Sequence, residues 1–267
     1  MGSSMTNAIV KLYRILFARA VFYRLNKLIC RCSLGGLGIL NYESDKVSGE
    51  LSFLKTFLKN RIGGVVIDVG ANVGNYSKLV LDINKSVTVY AFEPHPITFA
   101  KLSDAIKRNN FHPINAAVSN AEGFLSLYDY EAEEGSSHAS LYKGVIENIH
   151  HSKAVEHKVR VCCLGEFAKS KNIQKIDLLK IDTEGNELNV LRGMSEFIQS
   201  AKIEAIHFEF NEMNVCSRTF FKDFWDMLPS YDFYRLLPPG MLKIERYSPF
   251  FCEIFAYQNI VAITKHH

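Results

Sequence analysis

Two short stretches carry most of the residues able to do chemistry. In VIDVGANVGNYS (66–77), Asp68, Gly70, Asn72 and Gly74 form D-x-G-x-N-x-G behind a β-branched run. In KIDTEGNE (180–187), Lys180, Asp182, Glu184 and Glu187 fall within eight positions. A parallel strand that ends in a glycine turn and opens a helix sets backbone N–H groups and a partial positive charge at the carboxyl edge of a sheet, where nucleotide-like ligands bind. The three-glycine spacing that cradles a dinucleotide pyrophosphate is missing here. An acid at Asp68 repels phosphate and attracts an ammonium or a sulfonium, while Asn72 tolerates a strained turn and can donate through its amide. Glu93, twenty-three positions beyond Gly70 and followed by Pro94, stands where an acid accepts from two ribose hydroxyls. Together these features describe a site for S-adenosylmethionine.

The methyl group of that sulfonium is already activated, so the protein has to align an acceptor oxygen and remove its proton. Asp182 is expected at a strand end beside the cofactor, Glu184 on the turn after it, and Lys180 just before it. Glu187 falls in a first helical turn, where an acid is favoured electrostatically whether or not it takes part in chemistry. His207 and Glu209 end the next strand, and alternation puts them on one face. Asp182 and Glu209 at adjacent strand ends could hold a divalent cation that binds two sugar oxygens and lowers a hydroxyl pKa. Metal-free base catalysis by His207 or Asp182 is the alternative. Ser136, Ser137, His138 and Ser140 belong to a polar loop that could fold over the acceptor, although a solvated loop explains His138 equally. His150, His151 and His157 have no metal-ligand spacing and read as surface residues.

The elements that must position these groups follow from the apolar patterning. Residues 7–32 read as one helix with bases scattered between Ile9, Leu12, Leu16, Ala20 and Tyr23, and 50–59 as a second, short one. From Val65 the chain alternates strand and helix: strands at 65–69, 87–92, 114–118, 176–181 and 203–210, with helices starting near Tyr76, Phe99 and Glu187. Such spacing indicates right-handed crossovers and a parallel sheet. Residues 124–130 and 158–164 add extended segments. The stripe Phe221, Phe224, Trp225, Leu228 is a helix facing the core, and 233–237 with 260–264 read as an antiparallel pair at a sheet edge.

Composition sets the outer bounds. At 267 residues with 48% hydrophobic and 22% charged side chains, the chain is ordinary for one globular α/β domain with an appendage. Residues 1–42 carry Lys11, Arg14, Arg19, Arg24, Lys27 and Arg31 and no acid, leaving a net −3 on the remainder. No uncharged window is long enough for a transmembrane helix, and bases interrupt any signal-like apolar run, so cytoplasmic residence is expected. None of the six cysteines has zinc-ligand spacing, and reduced thiols are expected. The basic head suits the anionic inner face of a membrane. Packing over the cofactor cleft, or a homodimer contact, is its other use.

Several separated motifs resemble the FkbM family of S-adenosylmethionine-dependent methyltransferases: LNYESDKVSGE (40–50), VIDVGANVGNYS (66–77), AFEPHPITFAKL (91–102), INAAVSN (114–120) and DLLKIDTEGNELNVLRG (177–193). The resemblance implies an α/β fold, the class I methyltransferase (Rossmann-like) mostly parallel seven-stranded sheet with helices on both faces. This domain is expected over residues 61–267, behind a basic N-terminal helical extension over 1–60. It further implies O-methylation of sugars in surface glycans, glycolipids or related glycoconjugates, or of small natural products. Placed by that resemblance, Asp68, Gly70, Asn72 and Gly74, with Asn75 and Tyr76 after them, would meet the methionine part. Glu93 beside Pro94 would take the ribose, Asn115, Ala116 and Ala117 would border adenine, and Asp182 would touch both cofactor and acceptor. Nucleic acid is disfavoured, because Lys-Ile-Asp replaces the Asn/Asp-Pro-Pro-aromatic tetrapeptide of base methyltransferases and carboxylates repel phosphate. A catalytically silent cofactor-binding partner in glycan assembly, and a nicotinamide-dependent oxidoreductase, are the competing readings.

Overall fold

The structure is a computed structural model and describes residues 2–130, 140–141, 143–149 and 151–265. The chain opens with helices α1 (Gly2–Phe17) and α2 (Tyr23–Gly36), then α3 (Glu50–Leu58). Alternation begins with β1 (Val65–Val69), α4 (Asn75–Ile83), β2 (Thr88–Phe92), α5 (Pro96–Ala105) and β3 (Phe111–Ile114). Strands β4 (Ala117–Ser119), β5 (Gly123–Tyr130) and β6 (Ala154–Cys163) follow. Next come α6 (Leu164–Ser170), β7 (Ile176–Ile181), α7 (Glu187–Arg192), α8 (Ser195–Gln199) and β8 (Ile203–Phe210). The chain ends with α9 (Met213–Ser217), α10 (Phe221–Met227), β9 (Tyr231–Leu237), β10 (Gly240–Ile244), α11 (Pro249–Cys252) and β11 (Gln258–Thr264).

The main sheet has the order β10-β9-β11-β8-β7-β1-β2-β3, with β4-β6-β5 as a separate small sheet. Strands β1, β2, β3, β7 and β8 are parallel, and β11 runs antiparallel between β8 and β9. This is the class I methyltransferase topology: three strands step outward, the chain crosses back for the next two, and the last strand inserts antiparallel between β8 and β9. The sheet has eight strands rather than seven because LPPG (237–240) is a hairpin turn that adds β10 to the edge.

Both faces are covered, as a parallel sheet requires. Val66, Val89, Leu178 and Val261 pack against Phe53, Leu54 and Leu58 of α3, Val80 and Leu81 of α4, and Leu102 of α5. Their strand neighbours Ile67, Leu179 and Phe208 point the other way, against α6, α7, α8 and α10, where Phe221 and Phe224 fill the core as their spacing predicts.

Three expectations are corrected. The helix expected over 7–32 breaks around Ala20–Phe22 into α1 and α2. The strand expected over 114–118 splits at Asn115, and its halves enter different sheets. The helix from Glu187 breaks at Gly193, whose Cβ would lie 2.7 Å from the Ser119 carbonyl. Within the segment expected as an N-terminal extension, α3 joins the core through Phe53, Leu54 and Leu58, whereas α1 and α2 have no buried side chain among the described residues.

Candidate active site

The site is built where β1 and β7 finish. At Gly70, with φ +81°, a Cβ would come within 1.7 Å of the Asp182 carbonyl oxygen, so only glycine lets the two strand ends converge. In register, Asp68 pairs with Lys180, and Lys180 with His207 on β8. These three side chains share one face of the sheet, and Asp182 and Glu209, two residues farther along their strands, share it too. The strand ends open into a cleft of about 1180 Å³.

Of the sequence-predicted residues, Asp68, Gly70, Asn72, Asn75, Tyr76, Glu93, Pro94, Ala116, Ala117, Lys180, Asp182, Glu184 and Glu209 line this one cleft. Gly74 lies behind it, its φ of +91° opening α4 and its missing Cβ leaving room for Leu102 Cδ1. Asn115 is exposed and turns its amide to the carbonyls of Glu93 and Pro94, fixing the end of β2. Ser136, Ser137, His138 and His150 lie outside the described residues. Ser140 is buried and donates to the Glu184 carbonyl at 2.7 Å. His151 is exposed, but His157 is half-buried with its ring 4.8 Å from that of His95.

Two candidates make hydrogen bonds within the fold. Glu187 is buried and bends back over its own turn, Oε1 accepting from the N–H groups of Thr183 and Gly185 and from the Thr183 hydroxyl. Its position in the first turn of α7 serves the backbone. His207, a candidate base, is fully buried and does not line the cleft. Its Nδ1 lies 3.1 Å from the Tyr76 hydroxyl and its Nε2 3.0 Å from Asn259 Oδ1, and Asn259 in turn donates to the Tyr257 hydroxyl. Burial and the nearby Lys180 ammonium push His207 down to about 3, so the ring stays neutral and links α4 to the cleft-lining Tyr257.

The electrostatics centre on Lys180, 4% exposed. Its Nζ donates to Asp182 Oδ2 at 2.6 Å. Burial alone would lower its pKa, yet the carboxyls of Asp182, Glu209, Asp68 and Glu50 raise it instead, and the ammonium is held. The acids pay in return: burial raises Glu209 well above the usual carboxyl range, with Asp182 adding to it, and burial also raises Asp68 and Glu50. Glu50, from the start of α3, and Tyr257, just before β11, complete the cleft wall. No role for either is legible from spacing, because their neighbours lie more than a hundred positions away or on another strand. The only trace of Glu50 is its place in the LNYESDKVSGE motif.

The donors lining the cleft suit one of the two expected groups and not the other. For S-adenosylmethionine they fit. Asp68 Oδ2 accepts from Ser77 at 2.6 Å, but the buried Oδ1 has no partner among the described residues and belongs to a cleft-lining acid. Glu93 accepts the Asn72 and His95 N–H groups at 2.9 and 2.8 Å, one on each oxygen, and keeps a second lone pair on each. Asn72 takes φ +50° and caps Val73 N with its own side chain, which makes the turn. For a divalent cation on Asp182 and Glu209 the donors do not fit. Among the described residues no group of three or more His, Cys, Asp or Glu is placed to hold a metal. A hard dication takes six or more oxygens, whereas here an ammonium already sits on Asp182.

A family model described as the methyltransferase FkbM domain matches residues 68–234. The hexuronic acid methyltransferase AglP of Haloferax volcanii is 27% identical over 138 residues, 51% of this chain and 52% of that protein. The 31-O-demethyl-FK506 methyltransferase FkbM of Streptomyces tacrolimicus is 29% identical over 175 residues, 54% of this chain and 64% of that one. The 2-O-methyltransferase NoeI of Sinorhizobium fredii is 23% identical over 197 residues, 66% and 76% of the two chains. The chain thus spans about half the length of the first of these and under two thirds of the second.

Proposed function

The chain belongs to the FkbM methyltransferase family, and on that premise we propose that it transfers a methyl group from S-adenosylmethionine to a hydroxyl oxygen of a sugar in a glycan, glycolipid or related glycoconjugate. The observation that carries the reading is a single cleft lined by Lys180, Asp182 and Glu209 together with Asp68 and Glu93.

When bound, the cofactor supplies a methyl group on a positively charged sulfur. Everything else falls to this chain. Glu93 accepts ribose hydroxyls, and the Asp68 carboxyl favours the positive end. Asp182, held by Lys180, and Glu209 accept hydrogen bonds from acceptor hydroxyls, and one of them takes the proton as the new C–O bond forms. Carboxylates bind such hydroxyls well and repel phosphate-rich polymers, so a sugar suits this wall and nucleic acid does not. Support for the sugar comes from the relative named for hexuronic acid, and support for O-methylation from the one named a 2-O-methyltransferase.

A second reading, O-methylation of a small natural product, draws on the relative named for demethyl-FK506. The reading places the protein in the cytoplasm, at the inner face of a membrane where lipid-borne glycans are built. Mass spectrometry of surface glycans and of extracted small metabolites, from cells with and without the gene, separates the acceptors. One methyl group missing from a glycan sugar supports the proposal. Unchanged glycans with an altered small metabolite move the acceptor to the second reading.

A further inference from the structure

The two N-terminal helices are the largest feature that methyl transfer leaves unused. On α1 the exposed apolar residues Met5, Ile9, Leu12 and Leu16 recur at helical spacing along one face, with Lys11 and Arg14 on the opposite one. On α2, Leu25, Leu28 and Ile29 form a face, and Arg24, Lys27 and Arg31 follow one flank. Each of these seven apolar residues is at least 40% exposed. The Tyr13 hydroxyl donates to Asn26 Oδ1 at 2.5 Å and Asn26 Nδ2 to the Phe17 carbonyl at 3.0 Å, so the helices form one pinned arm. An apolar surface of this extent on a globular protein marks an interaction site.

A second feature stands at the base of the arm. Phe250 and Phe251 pack edge to face with ring centroids 4.8 Å apart, and are 80% and 53% exposed. Arg235 donates to the Phe251 carbonyl, and its Cβ lies 3.4 Å from where a Cβ on Gly38 would sit. The aromatic pair therefore flanks the point where the arm leaves the body.

Charge decides the occupant. The first 42 residues hold six bases and no acid. A second copy docking arm to arm would set that charge against itself, whereas an anionic lipid surface complements it. Among the described residues no helix is long and apolar enough to cross a membrane, so the arm would lie in the interface plane. We infer that residues 5–36, with Phe250 and Phe251, dock the protein on an anionic bilayer. The cleft is close by: its wall residues Tyr42, Ser44 and Asp45 begin six residues beyond α2, and Leu40 N donates to the Tyr257 carbonyl at 2.7 Å. That a membrane-borne sugar is thereby presented to the cleft rests on the methyltransferase reading, but the docking does not.

Flotation of the full chain with vesicles of mixed phosphatidylcholine and phosphatidylglycerol, against vesicles of phosphatidylcholine alone, tests it. The chain is expected to float with the anionic vesicles and to be released by salt. Arg24→Gln lowers the partition coefficient about fivefold, and Leu12→Ser with Leu28→Ser more than about tenfold. All three substitutions leave S-adenosylhomocysteine affinity unchanged, because none touches the cleft. Equal flotation with both vesicles, no flotation, or a solution dimer that Leu12→Ser dissociates would each overturn the proposal. Intact anionic flotation by a chain that does not bind S-adenosylhomocysteine supports the docking and removes the methyltransferase reading.

Discussion

Lys180 Nζ stands 2.6 Å from Asp182 Oδ2, the first residue beyond β7, so a buried ammonium and a cleft carboxylate meet at the carboxyl end of that strand. Parallel register then adds Asp68 and Glu209 on the flanking strands, and α3 supplies Glu50. One fixed positive charge among four carboxyls organises the site.

Removing that charge leaves the acids uncompensated. Lys180→Met is expected to cost about 3–5 kcal/mol at pH 8, the usual penalty for breaking a buried ion pair. The loss shrinks toward pH 5, because Glu209, Glu50 and Asp68 already have raised pKa values and take up protons as pH falls, which discharges the cluster. Urea denaturation at both pH values reads it, and an equal cost at pH 5 and pH 8 contradicts the role given to Lys180.

Turnover is expected to be unaffected by a chelator and by added magnesium or calcium, since the donors around Asp182 suit an ammonium rather than a dication. A rate that falls with chelator and returns with one of these ions would restore the metal reading.

Asp182→Asn keeps the shape of the side chain but removes the charge that Lys180 faces and the acceptor proton needs. The rate should fall by about 10²- to 10⁴-fold, the usual contribution of a positioned acid or base, with S-adenosylhomocysteine affinity largely intact. Single-turnover rates beside a calorimetric titration separate the two quantities, and unchanged turnover excludes Asp182 from the chemistry.

Much of this was legible in the residues, for a reason visible in β1, β2, β7 and β8. Strands buried on both faces read as near-continuous apolar runs, so 65–69 and 176–181 could be bounded correctly, and the acids at their ends followed. Edge and junction elements carry no such signal. β10 shows only Met241 and Lys243 outward and a short inward face, and Asn115 interrupts 114–118 for a contact to Glu93 and Pro94 that no local pattern announces. Alternation placed His207 on the correct face but could not show that Tyr76 and Asn259 already occupy both ring nitrogens. Glu50 reaches the site through a fold contact across more than a hundred positions, which periodicity does not encode.

Burial pushes Glu93 up to about 7 against the opposing pull of the His95 and Asn72 N–H groups. A protonated carboxyl is a poorer acceptor for ribose hydroxyls, so S-adenosylhomocysteine affinity should rise with pH up to about 7 and level off above it. On the acid side it should change by up to about tenfold per pH unit, as one linked proton dictates. Glu93→Gln should flatten the dependence. A flat profile in the unsubstituted protein would show that Glu93 does not meet the ligand.

In the proposed function, the ends of β1 and β2 receive the nucleoside. A crystal structure of the protein with S-adenosylhomocysteine at saturation tests this directly. The predicted result is density for the ribose at Glu93, the sulfur side toward Asp68 and Gly70, and the base beside Ala116 and Ala117. Density elsewhere on the molecule, or none at saturation, would contradict it.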